Sequence, residues 1–125
     1  MNKIPQNVLT AWENHVGPVI FTTVNQNNIP NSVYATCVSC DGKNRFLVAD
    51  NYFEKTRSNI QSGSQGSFLF ITGEDKAYQI KGRIEYHQSG PRYDDMKQWN
   101  PEKHPGHAAV AIIADEIYSG AEKIV

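Results

Sequence analysis

Nothing in this chain is long and apolar enough to cross a bilayer, and the opening Met1-Asn2-Lys3-Ile4-Pro5-Gln6-Asn7 holds no hydrophobic stretch. Neither a membrane span nor a secretory leader is expected, and a cytoplasmic location is. Charge of one sign is also missing, with 12 Lys and Arg against 13 Asp and Glu. No net field favours nucleic acid or an anionic membrane, although a local basic site is compatible with that balance. Repeats and low-complexity tracts are absent as well. What is left is 125 residues, the size of one compact unit with one hydrophobic core, and a single domain over 1–125 is expected.

Cysteine is scarce: Cys37 and Cys40 are the whole complement. Their C-x-x-C spacing invites a redox or zinc reading, but Val33-Tyr34-Ala35-Thr36-Cys37-Val38 has the β-branched and aromatic content of a strand. In a strand, positions 37 and 40 face opposite ways. No helix start follows to lower a thiol pKa, and a zinc site needs two further ligands. Ordinary buried or half-buried thiols are expected, and no metal.

What the chain does contain is a succession of short strand patterns. Pro5, Val8, Leu9 and Trp12 give an apolar helical face, ended by Gly17-Pro18. Val19 to Val24 reads as a strand. The next runs from Ile29 to Cys40, and Asp41-Gly42 returns the chain into Phe46-Leu47-Val48-Ala49. Phe53, Thr56 or Arg57, and Ile60 recur at helical spacing, with Asn51 as a cap and Gly63 as a stop. Ser67 to Ile71 is an apolar strand. From Tyr78 to His87 polar and apolar residues alternate, interrupted by Gly82, which marks a bend, a bulge or a close approach. Pro91 to Trp99 reads as a helix, Asn100 to Gly106 as a loop, Ala108 to Tyr118 as a last apolar strand, and Ser119 to Val125 as an arm. The pattern predicts a mainly β protein with short helices: a six-stranded antiparallel Greek-key barrel.

Chemistry concentrates at Asp50-Asn51-Tyr52-Phe53-Glu54-Lys55-Thr56, where a strand end enters a helix. Free N–H groups, Lys55 and the Thr56 hydroxyl suit an anion such as phosphate, with Arg57 as a second positive charge. The same residues also suit a solvated first turn, and the residue types alone leave both readings open.

The order Phe46-Leu47-Val48-Ala49-Asp50-Asn51, Lys55-Thr56-x-x-Asn59, Tyr78-Gln79-Ile80-Lys81-Gly82 and Ala109-Val110-Ala111-Ile112 through Glu116-Ile117-Tyr118-Ser119 resembles the pyridoxamine 5′-phosphate oxidase-like FMN-binding proteins. The resemblance covers nearly the whole chain. It is to the short members, since the extra length and Arg-rich C-terminal motif of the true oxidase are missing. It implies an FMN-binding split barrel acting as a homodimer, with FMN at the subunit interface. Lys55 and Thr56 would then hold the phosphate, Asn31, Ser32, Val33 and Tyr34 would offer strand backbone to the ring, and Ala49, Asp50 and Asn51 would face its pyrimidine edge. Asn59 would reach the ribityl or phosphate region, and Trp99 belongs to a segment that often lies near the flavin. No catalytic side chain is implied, because the flavin carries the redox chemistry.

On this footing the chain is expected to be an FMN-dependent oxidoreductase with a small-molecule or protein electron partner, or else a non-catalytic FMN carrier. A haem-binding relative would need an axial His, for which His15, His87, His104 and His107 supply no motif. His104-Pro105-Gly106-His107 is expected to be a flexible polar loop, and Lys81, Arg83 and Glu85 a solvated ladder.

Overall fold

The computed structural model describes residues 3–125. Met1 and Asn2, where the reading of the leader begins, lie outside the described residues. No helix among them is long and apolar enough to cross a membrane.

Among the described residues three helices and ten strands follow one another: α1 (Gln6–Glu13), β1 (Val19–Val24), β2 (Pro30–Ala35), β3 (Val38–Cys40), β4 (Arg45–Asp50), α2 (Lys55–Gln61), β5 (Gly66–Ile71), β6 (Ala77–Gly82), β7 (Ile84–His87), α3 (Pro91–Trp99), β8 (Ala108–Ile113), β9 (Glu116–Ser119) and β10 (Glu122–Lys123). They form a six-stranded sheet in the order β10-β9-β6-β5-β1-β2 and a four-stranded sheet in the order β3-β4-β8-β7. Every pairing is antiparallel.

All six strands read from the sequence are present, and three of them are bent in two. Residues 29–40 divide at Thr36-Cys37, the alternating strand at Arg83, and the last apolar strand at Ala114-Asp115. At each corner the chain leaves one sheet for the other, which is how two sheets close into a split barrel. Gly82 sits at one such corner because a Cβ there would run into the Ile113 carbonyl oxygen. Two corners are tied together: the Arg83 carbonyl accepts from Ile113 N, and Arg83 Nε and Nη2 donate to Asp115. The expected arm carries β10, which pairs with β9.

Inward-facing side chains of both sheets, among them Phe21, Phe46, Phe68, Ile80, Ile112 and Ile117, fill the barrel. Trp12 of α1 meets Phe46 and Phe70 edge-on at 5.3 and 5.2 Å. β8 is buried on both faces. Val110 and Ile112 enter the barrel, whereas Ala109 and Ala111 face Met96, Tyr93 and Trp99 of α3 across small side chains. The apolar run from Ala109 to Ile113 is therefore satisfied within one chain and leaves no surface for a second copy.

Cys37 packs with the α3 cluster and Cys40 with the barrel core, so the thiols diverge as strand geometry requires. Burial pushes the Cys40 thiol up to about 11.

Candidate functional site

β4 ends at Asp50, whose side chain is fully buried. Its carboxylate accepts from Arg57 Nε and Nη2 at 2.8 and 3.0 Å, from the Tyr86 hydroxyl at 2.6 Å and from Phe53 N at 3.1 Å. Arg57 is thereby occupied, with its pKa raised by the bond to Asp50, and is withdrawn from the anion site that its sequence position suggested. Burial, then the bond to Asp50, pushes the Tyr86 phenol up to about 12. One carboxylate thus joins the end of β4, helix α2 and strand β7.

Asn51 does not cap the helix. The cap position falls to Glu54, whose side chain makes no capping bond, and α2 starts at Lys55. Asn51 instead makes a reciprocal buried pair with Asn100, at 3.0 and 2.9 Å, and its Oδ1 also accepts from Gly106 N at 3.0 Å. These bonds pull the loop after α3 against the end of β4.

Between the two chain passages lies an open groove of about 290 Å3. One wall is β2 and its corner, from Val33 to Cys37, and the other is Ala49 with residues 51–53; His104 reaches in from the pinned loop. Tyr34 and Tyr52 stand at its edge, 75% and 71% exposed. β2 is the last strand of its sheet, so its outer row of backbone N–H and C=O groups is unpaired among the described residues.

Of the residues singled out from the sequence, Val33, Tyr34, Ala49 and Asn51 line this groove. Ser32 turns to the outer face of β2, where its hydroxyl meets Thr22 at 2.8 Å and it borders a shallower depression with Val33 and Tyr34. Asn31 Nδ2 donates to Thr56 Oγ1 at 3.2 Å, joining β2 to the first turn of α2. Thr56 is buried, whereas Lys55 is exposed and has no ion-pair partner among the described residues. Asn59 lies under the helix and donates to Thr23 Oγ1 at 3.0 Å. Trp99 does not line the groove: it packs on the alanine face of β8, with Nε1 donating to Asp95 at 3.3 Å.

Sequence reasoning did not include Ala35, Thr36, Cys37, Tyr52, Phe53 and His104 in the site. Tyr52 and Phe53 lay inside the stretch that drew attention; the corner at 36–37 is held by pairing with β4, where Ala49 N donates to the Cys37 carbonyl, and the approach of His104 depends on contacts about fifty residues apart in the chain. No local signal carries them.

The fold and this groove define an antiparallel split barrel with an open cleft at the edge of its larger sheet. A family model described as pyridoxamine 5′-phosphate oxidase matches residues 6–120, and the chain belongs to that family. An uncharacterised protein of Methanocaldococcus jannaschii is 28% identical over 123 positions, covering 94% of this chain and 80% of that protein. Among solved structures, HupZ of Group A Streptococcus superposes with a TM-score of 0.79 at 22% identity, covering 93% of each chain. An FMN-binding protein of Syntrophomonas wolfei gives 0.75 at 18% identity, over 91% of this chain and 86% of that one. At such identities the last two establish the shared fold.

Proposed function

We propose that this chain is an FMN-binding flavoprotein, a single unit over residues 1–125, that acts as an oxidoreductase with FMN bound between two copies. The observation that carries the reading is the continuity of β2, which lines the groove at Val33 and Tyr34 and touches the Lys55-Thr56 turn through Asn31. Three residues of strand separate these points by roughly 10 Å, a separation suited to the ribityl chain between a flavin ring and its phosphate.

The residues fit the cofactor. A flat ring needs a slot with one apolar wall and backbone donors and acceptors; the unpaired edge of β2 and the Ala49 side supply both. Asn51 retains one amide hydrogen without a partner among the described residues, which suits a carbonyl of the pyrimidine edge. Because Thr56 Oγ1 accepts from Asn31, its own hydrogen is free to donate, and Lys55 adds an unpaired charge. With seven residues α2 has only a small dipole, so Lys55 is the main anion-binding group.

When bound, FMN supplies the uptake and release of hydride or electrons. The protein's part is to hold the phosphate, align the ring along β2 and leave one ring face open. The groove, at about 290 Å3, falls just below the range of about 300–1,000 Å3 usual for ligand sites. A second copy would provide the missing wall, with Tyr34 and Tyr52 as exposed contacts.

The purified protein should be yellow and release FMN on denaturation; a colourless protein that takes up no FMN refutes the reading, and a Soret band points to haem instead. Replacing Lys55 and Thr56 together by Ala should weaken FMN about tenfold or more, as expected for lost charge-assisted bonds. Light scattering should give a dimer. Anaerobic NADH or NADPH should bleach the flavin, and an unbleached flavin assigns the protein to the carriers.

A further inference from the structure

The His104-Pro105-Gly106-His107 segment reads from sequence as a flexible loop, yet it is fastened on both sides. Before it, Asn100 is locked to Asn51 by two amide bonds; after it, Gly106 N donates to Asn51 Oδ1 and His107 N to the Asp50 carbonyl at 2.8 Å. Lys97 Nζ donates to the Pro105 carbonyl at 2.8 Å, and His104 N to the Pro101 carbonyl at 3.0 Å. Gly106 has φ +55°, and a Cβ there would lie 2.9 to 3.2 Å from Lys97 Nζ, Asn100 Nδ2 and Met96 Sδ. Burying an amide pair is costly unless its bonds are made. A loop that needed only to be soluble would require none of this.

The result of the fastening is the placement of one side chain. His104 lines the groove with its Nδ1 at 3.0 Å from the Tyr52 hydroxyl, the two rings edge-on at 5.5 Å. If the phenol donates, Nδ1 is the acceptor and the ring hydrogen resides on Nε2. Nε2 has no partner among the described residues. We infer that His104 is a ligand-contacting residue of the groove, whose Nε2–H donates to a carbonyl or ring-nitrogen edge of a planar heteroaromatic ligand. Tyr52 is the positioning residue that selects this tautomer. The inference rests on the flavin reading, which names the heteroaromatic ring, and adds a polar contact beside that of Asn51 on the wall opposite β2.

The test uses the full chain and FMN as probe, with affinity read from quenching of flavin fluorescence. His104→Ala should weaken FMN about tenfold, the equivalent of one buried hydrogen bond, while His104→Gln, whose amide can donate, should stay within about threefold of the wild type. The difference spectrum of bound against free flavin should change in the Ala variant and return in the Gln variant. Nitrogen NMR should find the His104 hydrogen on Nε2 in the wild type and a tautomer mixture in Tyr52→Phe. Wild-type protein that takes up no FMN would remove the flavin reading and this inference together. Wild-type protein that binds FMN, beside a His104→Ala variant equal to it in affinity and spectrum, overturns the inference alone.

Discussion

Replacing Asp50 by Asn changes almost no volume yet strikes a buried carboxylate that accepts four hydrogen bonds. Oδ1 can go on accepting from Arg57 Nη2 and Phe53 N, but the new amide faces Arg57 Nε, 2.8 Å away, donor against donor. Breaking a buried ion pair by removing one partner costs about 3–5 kcal/mol. The Arg57 side chain is 32% exposed, so water replaces part of what is lost, and the lower end, about 3 kcal/mol, is expected. Against a total stability of about 5–15 kcal/mol this is a large fraction. For a chain of this size it corresponds to a fall of about 10 °C in Tm. Urea unfolding followed by tryptophan fluorescence should show a lower midpoint with an unchanged slope. Tyr86→Phe removes one of the four bonds and should cost about 1.5 kcal/mol. The double variant should cost less than the sum, because both changes act on one carboxylate. A loss below about 0.5 kcal/mol in Asp50→Asn, typical of an unengaged surface residue, would refute the reasoning.

Other consequences follow from the same network and from the barrel corners. In the folded chain the Tyr86 phenol ionises near 12 rather than 10, so the stability it contributes is whole below pH 10 and is lost as pH rises from 10 towards 12; alkaline melts of Tyr86→Phe should fall less steeply there. At the acid end, the Arg45 guanidinium with Nε and Nη2 on Glu85, joined by His87 Nε2, holds the Glu85 carboxyl down to about 2. That contribution is present above about pH 4.5 and lost as pH falls from there towards 2, so Glu85→Gln should lose less on acidification than the wild type. Gly82→Ala, which drives a Cβ into the Ile113 carbonyl, should cost more than about 3 kcal/mol or prevent folding. Gly73→Ala, where the new atom meets only Val16 Cγ1 at 3.8 Å, should stay within about 0.5 kcal/mol, and equal effects of the two in thermal melts would contradict the corner argument.

Local pattern alone determined the helices, every strand segment except β10, and the class of the fold. Pro5 with Val8, Leu9 and Trp12, the apolar alternation from Tyr78 to Tyr86 and the Pro91 start of α3 are all written within a few residues of themselves. Apolar periodicity is a local signal, because each residue reports the face on which it lies. The spread of Val110 and Ile112 to one side of β8 and Ala109 and Ala111 to the other also follows from the period of two, although only packing shows what covers each face.

Only the tertiary structure decided where strands bend and which side chains meet. The break at Thr36-Cys37 carries no turn residue, and Gly82 and Asp115 mark the other two only as breaks, because the sheet the chain enters after each corner is set by strand pairing across the barrel. The same holds at the candidate site. Asn51 reads as a helix cap until Asn100, 49 residues on, claims it; Arg57 reads as a free cation although Asp50 lies 7 residues away, because packing sets which way the two side chains turn. His104 reads as loop for the same reason: its position in the groove is set by Asn51, about fifty residues earlier in the chain, and hydrogen bonds over that separation exist only once the barrel has closed.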